Sequence, residues 1–215
     1  MEYSLKCYLK QIYMSRINLL IYLENNGYVC DQYKNPSIEE IETMKHHNQL
    51  NFKVFNPTTN ENCYVLYILD AEFNQNVLKS RNIDKTVREI FDDQVLIEKN
   101  DTLVIVTTDY SQESIHKYLK NLWENEKKFI VLLTLAKLQF NILSHTLVPK
   151  HTKLTQSEKD EFYKKYNIQH DHQIPEISRF DAVAKIIFLK PGDVCKIIRY
   201  DKISLKNEYY RICIS

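Results

Sequence analysis

The sequence predicts an α/β (α+β) chain of two small domains, and three observations carry that prediction. Over residues 1–140, stretches with apolar residues at helical spacing alternate with short continuous apolar runs such as Leu103–Thr107 and Phe129–Leu133. Continuous runs of that length are how strands buried on both faces read, which implies a small mixed, partly parallel sheet between helices. After residue 140 the pattern changes. Pro149, Pro175 and Pro191 cut the chain into short elements with fixed corners, because proline locks φ and removes a donor. The third observation is size: 215 residues, 44% of them hydrophobic and 27% charged, allow one large or two small packed domains and argue against a disordered chain. The expected domains are 1–137 and 141–215, joined across Lys137–Leu143 without a Ser/Gly-rich linker.

Taken in order, residues 2–26 form a helix, with Leu5, Leu9, Ile12, Ile17, Leu20 and Leu23 at helical spacing and Gly27 as its C′ residue. Ser37 with Glu40 is a capping box that opens a helix within Pro36–Asn48. Phe52–Phe55 and Tyr64–Leu69 read as a hairpin turned through Pro57–Asn60. Ile83–Ile97 is helical, with Val87, Ile90, Phe91 and Val95 on one face. Leu103–Thr107 and Phe129–Leu133 are buried strands on either side of a Ser111–Glu126 helix that turns Ile115, Leu119, Leu122 and Trp123 inward. In the second domain Thr155 and Glu158 form another capping box at the head of a Ser157–Tyr166 helix. Gly192 ends a tight turn, and Val194–Ile198 follows as a strand.

Composition narrows the function. Two glycines, Gly27 and Gly192, exclude a glycine-rich phosphate loop. The net charge of +1 hides an asymmetry: residues 141–215 hold 13 Lys+Arg against 9 Asp+Glu, and residues 1–140 hold 16 against 19. Neither half is basic enough to hold nucleic acid alone, so contact with DNA requires a larger basic assembly. Five scattered cysteines without a Cys-x-x-Cys suit buried thiols in a reducing compartment. Met1–Lys10 has no apolar signal core, and no run is long enough to cross a bilayer, so no membrane partner is expected.

Within residues 141–199 an ordered set of motifs stands out. These are Asn141-Ile142, His145, Leu147-Val148-Pro149 and His151; Gln173-Ile174-Pro175-Glu176-Ile177; Asp181, Val183 and Ala184; Gly192, Val194, Lys196, Ile197 and Arg199; and finally Tyr209-Tyr210-Arg211. In this order they resemble the fifth subunit shared by the eukaryotic nuclear RNA polymerases, whose C-terminal half has a small archaeal polymerase subunit as its counterpart. Gly27-Tyr28-Val29 with Gln32 is similar to the family's N-terminal part, one residue tighter. Ala182 stands where the family has proline, Phe188 where it often has glycine, and Asp201–Asn207 replaces its Ser-Glu-Thr-Ala-Gly hairpin.

The resemblance implies a non-catalytic subunit of a DNA-dependent RNA polymerase, with no cofactor or metal of its own. Its N-terminal α/β/α jaw domain would guide downstream double-stranded DNA, and a C-terminal α+β assembly domain would anchor it to the largest subunit and its neighbours. The expected interface residues are His145, Pro149, His151, Ile174, Pro175, Asp181 and Arg199. Rigid corners with apolar and cationic tips suit a permanent contact, with Arg199 pairing bidentately to a carboxylate. The implied DNA-facing loop is Thr108, Tyr110 and Ser111, where a helix N-terminus offers N–H groups to phosphate while Asp109 opposes it. Ser111 as a simple N-cap explains the same residues. A cellular member would be nuclear; a large-DNA-virus member would travel in the virion and act in host cytoplasm.

Other chemistries compete with this reading. A nuclease-like enzyme would use Asp109 with Glu126 and Lys128, provided both carboxylates converge on Mg²⁺. A zinc site would draw on His145, His151, His170 or His172 with Cys195 or Cys213, although the spacing fits no standard pattern. Phe52, Phe55, Tyr64 and Tyr67 would form a base-stacking platform or, more simply, a strand core. A small scaffold protein using the same C-terminal domain outside polymerase is a further alternative.

Overall fold

The computed structural model of the chain describes residues 2–69, 80–93, 101–201 and 205–215. They divide into two compact units, Met1–Phe140 and Asn141–Ser215.

The first unit opens with helix α1 (Glu2–Asn25). Gly27 at φ 86° ends it in a Schellman turn: Gly27 N–H donates to the Glu24 carbonyl at 2.9 Å and Tyr28 N–H to the Leu23 carbonyl at 3.0 Å. Leu9, Ile12, Leu20 and Leu23 are buried as their spacing predicts, and Ile17 is half-buried; the Leu5 side chain lies outside the described residues. Helix α2 (Ile38–His46) carries the capping box, with Ser37 and Glu40 each bonding the other's backbone. Strands β1 (Phe52–Asn56) and β2 (Glu61–Ile68) form the expected hairpin. Helix α3 (Ser80–Arg88) runs on into a π-helical turn, Glu89–Asp93, and buries Ile83, Val87, Ile90 and Phe91. The end of the predicted helix, including Val95, lies outside the described residues.

Strand β3 (Thr102–Thr107), helix α4 (Gln112–Glu126) and strand β4 (Phe129–Thr134) complete the unit. The sheet order is β1-β2-β3-β4, with β1 antiparallel to β2 and the other two pairs parallel. Parallel neighbours need crossovers, and the described helices α3 and α4 lie in them. β3 and β4 are buried at every residue. Two long-range bonds tie α1 to the chain after β4: Asn18 Nδ2 to the Leu138 carbonyl at 2.8 Å and Gln139 Nε2 to the Gln11 carbonyl at 3.0 Å.

The second unit is a four-stranded sheet ordered β5-β7-β8-β6. Its strands are β5 (Lys150–Lys153), β6 (Glu176–Ser178), β7 (Val194–Asp201) and β8 (Leu205–Ile214). Helix α5 (Gln156–Lys165) starts at the Thr155–Glu158 capping box, and a short helix α6 (Ala182–Ile186) is capped by Asp181. Each face of the sheet packs its own core. Phe162, Ile174, Val194 and Ile212 fill the α5 side. Ala184, Leu189, Cys195, Ile197 and Cys213 fill the α6 side. Burial pushes the Cys195 thiol up to about 11 and the Cys213 thiol up to about 12, so both stay protonated.

Candidate subunit interface

The residues singled out in the second unit divide by environment. His145 is exposed, and its Nδ1 accepts from Leu147 N–H at 3.2 Å. His151 is half-buried on β5, its Nδ1 2.7 Å from the Pro149 carbonyl. Pro175 is exposed while its carbonyl accepts from Ile212 N–H at 2.9 Å, so one side of it is fixed to the sheet. Arg199 is exposed and lies 5.1 Å from the centroid of the Tyr209 ring.

Two other residues have structural tasks. Ile174 is 3% exposed in the α5-side core. Its place beside a proline suggested a surface tip, but the helix that buries it arrives from elsewhere in the sequence. Asp181 accepts from the N–H groups of Val183 and Ala184 at 2.9 and 3.3 Å, which satisfies the start of α6. Its carboxylate therefore has a local structural task.

Residues that motif reading missed include two buried cations, Arg179 and Lys185. Burial lowers the Arg179 guanidinium to about 10, far enough above neutrality to keep it charged. Also missed is an aromatic wall: Phe162 stacks on Tyr210 at 4.1 Å, with Tyr166 6.0 Å from the same tyrosine. The wall borders a groove of 390 Å³ lined by Ile168, Pro175, Glu208 and Tyr209 among others. The Tyr-Tyr-Arg motif signalled it, but only the strand parity shows which tyrosine faces α5.

The alternative chemistries lose their geometry. Asp109 and Glu126 bracket α4, a helix of 15 residues, so they stand about 22 Å apart along its axis at the usual rise. Glu126 is paired with the buried Lys128, Nζ to Oε2 2.8 Å, and Asp109 accepts from Tyr110 N–H at 2.8 Å. These groups cannot converge on one Mg²⁺, and the nuclease reading falls. Among the described residues no group of three His, Cys, Asp or Glu is placed to hold a metal. His170 and His172 stack on one another at 5.3 Å. Phe52 and Tyr67 are buried and Phe55 points to the opposite face, so the four aromatics form no common platform.

In the loop after β3, Tyr110 is 5% exposed, and burial raises its hydroxyl pKa. It packs into the unit and does not face outward. Thr108 is half-buried and Ser111 exposed. Ser111 occupies the N-cap position of α4 without a side-chain capping bond; its hydroxyl receives one from Ser114 at 3.1 Å.

The second unit is thus a two-cored, four-stranded module with fixed proline corners and an aromatic groove. Residues 140–213 match the family model for the RNA polymerase Rpb5 C-terminal domain. Relatives include DNA-directed RNA polymerase subunit Rpo5 of Thermococcus kodakarensis, 40% identical over 79 residues that make up 37% of this chain and 95% of that protein. The RNA polymerases I, II and III subunit RPABC1 of Caenorhabditis briggsae is 38% identical over 37% of each chain. The Dictyostelium discoideum counterpart is 39% identical over 37% of this chain and 40% of its own. The chain belongs to this family of DNA-directed RNA polymerase subunits.

Proposed function

We propose that the chain is a non-catalytic subunit of a multisubunit DNA-dependent RNA polymerase. Asn141–Ser215 anchors it to the largest subunit, and Met1–Phe140 forms part of the jaw beside downstream DNA. The observation that carries the reading is coverage: the aligned segment accounts for 95% of an archaeal subunit, so the relationship spans a whole domain and not a shared motif. The acidic surplus of residues 1–140 fits a jaw that meets DNA only as one member of a basic assembly. In a cellular host the protein acts in the nucleus; from a large DNA virus it would act in the virion and host cytoplasm.

Within the second unit, His145, Pro149, His151, Pro175, Asp181 and Arg199 remain the interface candidates, because each is exposed or half-buried. The test is affinity purification of the tagged full chain. Co-elution of the large polymerase subunits is expected; a chain that elutes alone and cleaves DNA with Mg²⁺ would refute the reading. Arg199→Ala should weaken assembly by roughly 2–5 kcal/mol if its carboxylate partner is left buried and unpaired. Asp109→Ala should leave assembly intact and change only DNA engagement, read as elongation on a defined template.

A further inference from the structure

β7 and β8 are longer than the strands beside them. β5 covers β7 only over Cys195–Ile198, and β6 covers β8 only over Ile212–Ile214. Among the described residues, 205–211 of β8 thus have a strand neighbour on one side alone. The Ile212 N–H points to the uncovered side's extension, since it donates to the Pro175 carbonyl at the head of β6. At a period of two, Lys206, Glu208 and Tyr210 turn their N–H and C=O groups the same way. Among the described residues these groups have no backbone partner.

The empty position in the sheet has walls of distinct chemistry. On the α5 side lies the aromatic groove, with Tyr166 52% exposed at its margin. On the other side stand Arg199, over the Tyr209 ring, and Arg211, whose Nη1 donates to the Glu176 carbonyl at 2.8 Å. Neither guanidinium is paired with a carboxylate among the described residues. A two-stranded ribbon is marginal by itself in water, and this one exposes Tyr200 and Leu205 as well. Native sheets seldom leave such an edge uncovered.

We propose that this edge receives an extended segment of another polymerase subunit as an added β-strand, one that alternates apolar and acidic residues. The inference rests on the polymerase reading and specifies how the contact is made. Backbone bonds to Lys206, Glu208 and Tyr210 hold the strand; its apolar side chains enter the groove and its carboxylates meet Arg199 and Arg211. A second copy of this chain is a poorer occupant, because it would bring further arginines to the same face.

The test compares amide exchange of the full chain, free and reconstituted into polymerase. The N–H groups of Lys206, Glu208 and Tyr210 should slow in the complex, while those of Asn207 and Tyr209, directed at β7, should change little. Glu208→Pro removes an outward donor without touching the β7 ladder and should weaken assembly roughly tenfold. Glu208→Gln, which loses only the side-chain charge that holds Lys196, should assemble within about threefold of the parent. Unslowed even-numbered amides in the assembled complex would overturn strand addition and leave the polymerase reading standing, as would Glu208→Pro assembling like the parent. If Glu208→Pro fails to fold, the parent's exchange pattern decides alone. A parent chain that never co-elutes with polymerase would sink both, and a chain that dimerises through this edge would overturn the choice of partner.

Discussion

Strands β3 and β4 of the first unit are buried at every residue, whereas β5 and the outer half of β8 in the second are mostly exposed. Both sheets have four strands. The first buries both faces of β3 and of its edge strand β4, so their side chains are committed to a core. The second has two small cores, one per face, and runs its longest hairpin beyond both. Side chains buried on both faces of a strand serve packing, whereas the exposed outer half of β8 leaves side chains and backbone accessible.

The comparison breaks first where burial is deepest. Leu103 in β3 is wholly buried. Leu103→Ala should destabilise the first unit by about 2–5 kcal/mol, the range for a core leucine that leaves a cavity. Amide exchange in β7 and β8 should stay as in the parent chain. Collapse of protection in both units together would mean that they fold as one cooperative body.

Phe188 sharpens the contrast from the other side. It sits at φ 49°, closing α6 with Leu189 N–H on the Ala184 carbonyl at 3.0 Å and Phe188 N–H on the Lys185 carbonyl at 3.3 Å. That left-handed position costs a non-glycine residue about 1–2 kcal/mol. Glycine would relieve it, but glycine loses about 0.5–1 kcal/mol through its freer unfolded state. The ring is 5% exposed, and burying a phenylalanine side chain contributes about 1.5–3 kcal/mol. Burial wins, and Phe188→Gly should destabilise the second unit by about 1–2 kcal/mol in chemical denaturation. A stabilised variant would show that backbone strain outweighs the ring's packing.

The two units share one device, the capping box, and so provide a matched pair. Ser37→Ala and Thr155→Ala each remove a side chain that accepts from an N3 backbone N–H, at 3.1 and 3.3 Å. Each should cost about 1 kcal/mol, read on the thermal transition of its own unit. Unequal losses would show that one helix depends on tertiary packing far more than the other.

Those boxes were legible because they are local: a hydroxyl and a carboxylate three residues apart specify their own bonds. So were Gly27, the β1–β2 hairpin and the apolar runs of β3 and β4. Ile174 was misread because the residues that bury it, Phe162 and Ile212, come from a helix and a strand distant in sequence. Tyr110 looked like a loop residue available to DNA, yet it packs inward. The open edge of β8 was illegible for the same reason. It is defined by where β6 stops, and β6 pairs with β8 across 36 residues of chain, Glu176 with Ile212. Patterns of period 2 and 3.6 locate elements; they do not say which neighbours are missing.

The smallest expected effect concerns acid and falls on the second unit. Glu158 is held below the usual carboxylate range by the Thr155 backbone N–H and hydroxyl, and Glu208 by the Lys196 ammonium. In each case the folded state binds the proton less tightly than the unfolded chain. Their contribution is therefore complete above the ordinary carboxylate pKa of about 4.3 and is lost as pH falls through the depressed folded values. Both side chains are solvent-exposed, so the loss is small. The thermal midpoint of the second unit should drift down on acidification below that range, and Glu158→Gln with Glu208→Gln should flatten the drift. Thr155→Ala should remove only a fraction of the Glu158 part, since it deletes the hydroxyl, keeps the backbone N–H that contributes most and leaves the Lys196 pair untouched. An acid limb that keeps its slope in the double variant would assign it to other carboxylates and leave these two as surface ornaments of the fold.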